Sequence, residues 1–305
     1  STRAPLSRKR LMAKHKMSRK LRENLIGYSF IGIWIIGFLV FMVYPLLNSI
    51  IYSLSQVQIL GTGGIKITFH GFKNFRDIFQ IEQGFNYLEA LYAFIKEMIM
   101  QVPIILVFSV LIAMLLNQPI KGRGIFRSIF FLPVIIASGP VINELISQGA
   151  GGTSLLERYG FISLINNNLA PRFAEPVVGI FSKIVIIFWF SGVQILIFLA
   201  GLQKMDKQVY EAAEIDGAGA WETFWKITLP SLANLVFVNT IYTIVLLATF
   251  SENEVIKNIR ANMFDIKTGY GMASAMAWVY FLIVMTFIGV VTLVLLPRQK
   301  QRGGY

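Results

Sequence analysis

Apolar residues run in six long stretches along the chain, at about 25–44, 98–116, 125–145, 177–200, 231–250 and 272–296, with polar connections between them. A helix that crosses a bilayer needs about 20 mostly apolar residues, and each stretch supplies that length. The third contains Pro133, Gly139 and Pro140. It is predicted to be bent or broken, which is tolerated where neighbouring helices or water satisfy the freed backbone groups. One such stretch would equally suit a buried core helix. Six of them in a chain with few charges predict an all-α polytopic membrane protein with six transmembrane helices.

Composition agrees. Of 305 residues, 55% are hydrophobic and 14% charged, with a mean hydropathy of +0.63, values that belong to membrane proteins. The absence of cysteine excludes a disulfide framework, a thiolate zinc site and a cysteine nucleophile. His15 and His70 stand far apart in polar segments, so no histidine-based metal site is predicted. No GxxxxGK[ST] phosphate loop occurs, and Gly61-Thr62-Gly63-Gly64 lacks its lysine. Carboxylates cluster in the connections, and Ser, Thr and His have no triad-like companions. A non-catalytic chain with no cofactor of its own is expected.

Charge sets the orientation. The 1–24 tail, the 117–127 connection, the 201–230 loop and the 297–305 tail together carry 18 Lys and Arg, against 8 in the other three connections, with Lys96 at the edge of the second stretch and Lys183 inside the fourth completing the 28. Cytoplasmic loops are the lysine- and arginine-rich ones, so both termini and the 203–230 loop are predicted to be cytoplasmic. The chain then divides into a basic tail (1–24), a six-helix domain (25–296) and a short C-terminal tail (297–305). The net charge of +12 raises the question of nucleic acid. The basic run abuts the first apolar stretch, however, where anionic lipid headgroups are its natural partner.

The 211–230 segment reads EAAEIDGAGAWETFWKITLP. Asp206 can cap a helix from Lys207 to about Ile215, and Gly217 can end it. Ala212 and Ala213 let another surface approach the backbone closely, and Glu211 and Glu214 offer carboxylates to a basic partner. Trp221, Phe224 and Trp225 fall on one face of a second short helix by i, i+3, i+4 spacing. Pro230 is expected to stop that helix. An interfacial amphipathic loop would explain the tryptophans as well. It would not explain Glu211-Ala212-Ala213, Gly217, Ile227, Leu229 and Pro230 at their spacing, which resembles the EAA loop of permease subunits of binding-protein-dependent ABC sugar importers. The resemblance implies a cytoplasmic elbow that docks into a separate ATPase. It also implies ATP and Mg on two such ATPase subunits, a second permease forming a heterodimer, an external solute-binding protein and a place in the bacterial inner membrane.

Three further segments resemble the same family: Gly71-Phe72-Lys73-Asn74-Phe75 before the second helix, KGRGIFRSIFFLP at 121–133, and Gly269-Tyr270-Gly271-Met272-Ala273-Ser274-Ala275 at the last helix. The likeness covers about 70–296. The charged segment at 251–269 departs from the Gly-rich pattern of many relatives, and 146–176 is individual.

Charge inside a span is costly, about 2.5–3.5 kcal/mol on insertion scales. Lys183, Phe190 and Gln194 share a face of the fourth stretch at i, i+7 and i+11, and Asn239 and Thr243 share a face of the fifth. By the resemblance these two helices contact sugar. Lys183 then reads either as a cation snorkelling to the outer headgroups or as a contact for an acidic oligosaccharide such as alginate. Asn239 and Thr243 read either as pathway lining or as helix–helix hydrogen bonding. Other ABC cargoes (polyamine, phosphate, amino acid) and a secondary transporter are the competing functions. The near absence of intramembrane carboxylates weighs against ion coupling.

Overall fold

A computed structural model describes residues 19–59, 64–118, 124, 125, 128, 160–265 and 268–295. The expected third span and the 121–133 motif lie almost wholly outside these residues. Among the described residues, three helices are long and apolar enough to cross a membrane alone, Gly27–Ser53, Glu82–Asn117 and Gly269–Leu295, and two bent pairs raise the number to five.

The first span is α1 (Arg19–Phe38), a π-helical segment (Leu39–Val43) and α2 (Tyr44–Ser53). The sequence reading ends this span at Tyr44, before Pro45. The helix instead runs through the proline, because the preceding turn widens: Tyr44 N donates to Leu39 O, five residues back. The extra residue relieves the clash between the proline ring and the carbonyl one turn earlier.

An antiparallel hairpin follows, β1 (Ser55–Ile59) with β2 (Ile65–Phe69), in register from Ser55 opposite Phe69 to Ile59 opposite Ile65. The short α3 (Lys73–Asp77) holds it in place. Asn74 Nδ2 donates to both Ser53 O and Ser55 O at 2.9 Å. Then comes α4 (Glu82–Asn117), 36 residues and about 54 Å at 1.5 Å per residue. It starts sixteen residues before the apolar stretch at 98–116 and outreaches the ~30 Å hydrocarbon core.

The second half comprises α5 (Phe161–Asn168), α6 (Pro171–Gln203), α7 (Lys207–Ile215), α8 (Ala220–Thr223), a π segment (Phe224–Thr228), α9 (Leu229–Ser231), α10 (Ala233–Ala248), α11 (Glu254–Phe264) and α12 (Gly269–Leu295). Two buried cores divide the bundle by height. One joins Tyr87, Met98 and Ile105 of α4, Phe190 of α6, Ile244 of α10, Val255 of α11 and Met276 of α12. The other joins Val110, Ala113 and Leu116 of α4 to Ile195, Phe198 and Leu202 of α6 and to Leu232. The hairpin, α3 and α11 therefore sit at one end of the bundle and the α7–α9 turn at the other. The 251–269 segment, read from sequence only as an external connection, is largely the helix α11. Asn253 caps it by accepting from Val255 N at 2.9 Å.

Candidate functional site

The loop between α6 and α10 is a built elbow. The chain turns by 70° between α6 and α7, and by 68° between the α8–α9 segment and α10. Asp206 caps α7, its Oδ1 accepting from Gln208 N at 3.0 Å. At the far end Gly217 has φ +77°. Gly217 N donates to Glu214 O at 3.0 Å and Ala218 N to Ala213 O at 2.9 Å. This pair of bonds is the Schellman arrangement, which needs a left-handed residue after the helix, so glycine at 217 follows from backbone geometry.

On α7, Glu211, Ala212 and Glu214 are exposed, while Ala213 is buried against the rest of the chain. Ile215 stands 86% exposed beside them. Glu211, Ala212, Glu214 and Ile215 thus leave on α7 an exposed surface that combines two carboxylates, an apolar side chain and a bare alanine backbone. The elbow is also braced from within. Tyr210 Oη lies 3.1 Å from Thr228 Oγ1 and donates to Met205 Sδ at 3.3 Å, tying α7 to the segments that precede and follow it.

The returning arm corrects one expectation. Pro230 does not stop a helix. It sits near the start of α9, and the preceding turn is again π-helical, with Leu229 N donating to Phe224 O. Ser231 Oγ donates to Ile227 O at 2.7 Å, satisfying a carbonyl near the proline. The change of direction comes at Leu232, which is buried in the second core. Ile227 and Leu229 are half-buried and Pro230 is exposed. Trp221 and Trp225 pair edge to face with ring centres 5.6 Å apart, and Phe224 meets Trp225 at 5.1 Å. The three do cluster, with Phe224 packing inward and both tryptophans open. Lys226 Nζ lies 3.1 Å from Glu222 on this arm, and its hydrogen bond holds the Glu222 carboxyl below the usual range.

The residues expected along the pathway divide. Gln194, Asn239 and Thr243 come together at the α6–α10 contact, fully buried. Gln194 Nε2 donates to Thr243 Oγ1 at 2.9 Å, and Thr243 Oγ1 donates to Asn239 O at 2.7 Å. Gln194 Oε1 and both polar atoms of the Asn239 side chain have no protein partner among the described residues. Phe190 lies one turn away, in the wall of a cavity of about 240 Å³, where its ring meets Phe250 edge to face at 5.0 Å. Lys183 is on α6, but its side chain lies outside the described residues.

Sequence reasoning missed a buried polar lock at the other end. Tyr280 Oη of α12 donates to Ala248 O at 2.8 Å and accepts from Asn253 Nδ2 at 2.9 Å. Tyr87 Oη of α4 donates to Met276 O at 2.8 Å. For Tyr280, a tyrosine within an apolar stretch is the available signal, because a buried hydroxyl needs a partner; Tyr87 lies in a polar segment and carries no such mark. The partner itself is a backbone carbonyl that no sequence pattern marks.

Residues 83–299 match the family of binding-protein-dependent transport system inner membrane components. The chain is 31% identical over 301 residues to the probable ABC transporter permease protein YesP of Bacillus subtilis, covering 93% of this chain and 94% of that one. It is 30% identical over 242 residues to the lactose transport system permease protein LacF of Rhizobium radiobacter, covering 78% of each. Its fold matches a chain of a bacterial alginate ABC transporter in complex with an alginate-pentasaccharide-bound periplasmic protein. That match has a TM-score of 0.63 at 17% identity and covers 94% of this chain and 98% of that one. With an elbow capped at Asp206 and Gly217 between two bent helices, and with this likeness along nearly its whole length, the chain belongs to the family of inner membrane components of binding-protein-dependent transport systems, the permeases of ABC transporters.

Proposed function

We propose that this chain forms one half of the membrane pathway of an ABC importer for a sugar or oligosaccharide in the bacterial cytoplasmic membrane. A second permease completes the pathway, two cytoplasmic ATPases bind ATP and Mg, and an external binding protein delivers the cargo. The chain itself catalyses nothing. The observation that carries this reading is the exposed Glu211-Ala212 surface of α7, held rigid by its caps and by Tyr210. The relatives named for sugar transport support the cargo class.

The geometry also supports a mechanism. A load on α7 passes through the Tyr210–Thr228 contact and the Leu232 core into α6 and α10. Those two helices carry Gln194 and Thr243. Closure of the ATPases on the elbow then changes how α6 and α10 meet, and the pathway alternates between outward and inward openings. The acids of α7 complement a basic groove on the ATPase.

Glu211→Lys tests the docking. Tagged importer is purified from cells expressing all subunits, and ATPase recovery and sugar uptake are measured together. Loss of both, with unchanged chain in the membrane, is the expected result. Normal uptake by the variant would remove α7 as the coupling surface.

A further inference from the structure

The two arms of the elbow expose different chemistry. On α7 the open side chains are Glu211, Ala212, Glu214 and Ile215. On the returning arm, Ala220–Ser231, the open large apolar side chains are Trp221, 73% exposed, and Trp225, 49% exposed, with ring centres 5.6 Å apart. Their i, i+3, i+4 spacing puts both on the side of the arm that carries Phe224, whose ring meets Trp225 at 5.1 Å. Phe224 packs against the core that holds Val110, Ile195, Phe198 and Leu232. The aromatic face is therefore turned toward the membrane helices and continues outward past the edge of the bundle. The arm meets α10, the membrane-crossing half of the bent pair, at 68°, so it runs along the bilayer surface and not through it. Its only charged residues, Glu222 and Lys226, bridge each other at 3.1 Å, which leaves the arm without net charge.

Resting on the importer reading, which puts the elbow on the cytoplasmic side, we propose that Trp221 and Trp225 seat the returning arm in the headgroup zone of the inner leaflet and leave α7 to the ATPase. Tryptophan concentrates at membrane–water interfaces, where its apolar ring body and its polar N–H are satisfied together. The aromatic face is continuous with the apolar surface of the bundle, and no net charge draws the arm away into water or toward a charged groove. α7 differs on each count. Its two exposed carboxylates are repelled by the anionic lipids of the cytoplasmic leaflet and suit a basic protein surface. A seated arm also gives the elbow a base to turn on. A push on α7 then passes into α6 and α10 instead of carrying both arms along with it.

The other tryptophans of the chain are Trp34, Trp189 and Trp278. The complete importer is reconstituted in vesicles whose lipids are brominated either just below the headgroup or near the chain ends. Fluorescence is compared with that of the Trp221→Phe, Trp225→Phe double variant, so that the difference reports the pair. The pair is expected to be quenched at least about twofold more strongly by the shallow bromines than by the deep ones, with the ATPases present or stripped away. Quenching by aqueous iodide instead, relieved only when the ATPases are bound, would make the rings part of the ATPase contact and overturn the seat. Stronger quenching by the deep bromines would overturn it too, because the rings would then lie in hydrocarbon. The chain has no cysteine, so a nitroxide on Trp221→Cys gives a second reading that does not depend on the double variant. In vesicles stripped of ATPases it should be less accessible to an aqueous nickel chelate than a nitroxide on Glu211→Cys, and equal accessibility counts against the proposal. Failure of any ATPase to co-purify with the wild-type permease would sink the importer reading, and the bromine depth of the pair would still decide whether the arm sits in the headgroups.

Discussion

Gln194 donates to Thr243 at 2.9 Å across the α6–α10 contact, which makes the two helices that flank the elbow polar partners as well as sequence neighbours of it. The bond sits between the cavity at Phe190 and the core at Leu232, on the route proposed above for motion of α7 into the membrane.

Thr243→Val leaves the Gln194 carboxamide with no side-chain partner among the described residues. Hydrogen bonds between membrane helices average about 0.6 kcal/mol and reach about 1.7. Thermal melts of Gln194→Leu, Thr243→Val and the pair should therefore show a coupling of roughly 0.5–1.5 kcal/mol. Strictly additive effects would mean that the bond contributes nothing.

Asn239 offers a sharper contrast. Its amide is fully buried, without a protein partner among the described residues, and burying an unpaired amide costs about 1–3 kcal/mol. Asn239→Leu should leave the protein as stable or more stable in detergent, while sugar uptake falls. A less stable variant with normal uptake would show that the amide serves packing alone.

At Gly217 a Cβ would meet no atom within 4 Å, so any cost of substitution comes from the left-handed backbone. Gly217→Asn should retain most uptake, because asparagine tolerates that region. Gly217→Val should cost about 1–3 kcal/mol in the local turn and lose ATPase recovery. Equal behaviour of the two variants would separate coupling from the Schellman turn.

Gly271 answers to space instead. A Cβ there would strike the Ser55 carbonyl, and the Asn74 amide is 3.1 Å from the same position. Backbone cannot yield as a side chain does, so Gly271→Ala should destabilise by about 1–3 kcal/mol. Asn74→Ala should cost a similar amount by stranding the Ser53 and Ser55 carbonyls. The melting temperature of the purified chain checks both, and wild-type melting would rule out the contact.

The end-to-end arrangement predicts sidedness. Ile67→Cys on the exposed hairpin strand should react with an impermeant thiol reagent in intact cells, and Gly217→Cys should react only in inverted vesicles. Labelling of position 217 from outside would reverse the orientation that the charge asymmetry sets.

Hydropathy alone determined the class of the protein, because six stretches of about twenty apolar residues in a chain with few charges cannot all be core helices, and in a bilayer backbone polarity then demands helix. Local chemistry carried the elbow as well. Asp206 and Gly217 act through bonds to residues two to five positions away, and those were legible along the chain. What proline does was not legible: Pro230 read as a helix end and the first apolar stretch was bounded just before Pro45, yet both prolines are absorbed by π turns whose extra residue lies upstream. Length beyond the apolar run was also hidden. The polar first turns of α4 are stabilised by packing of Tyr87 and Leu91 against distant elements, not by their own hydropathy. The pairing of Gln194 with Thr243, the meeting of Gly271 with Asn74 beside Ser55, and the ring contact of Phe190 with Phe250 join residues from tens to about two hundred positions apart. Periodicity places a side chain on a face of its own helix, but which face of which neighbour it meets is decided only when the whole bundle packs.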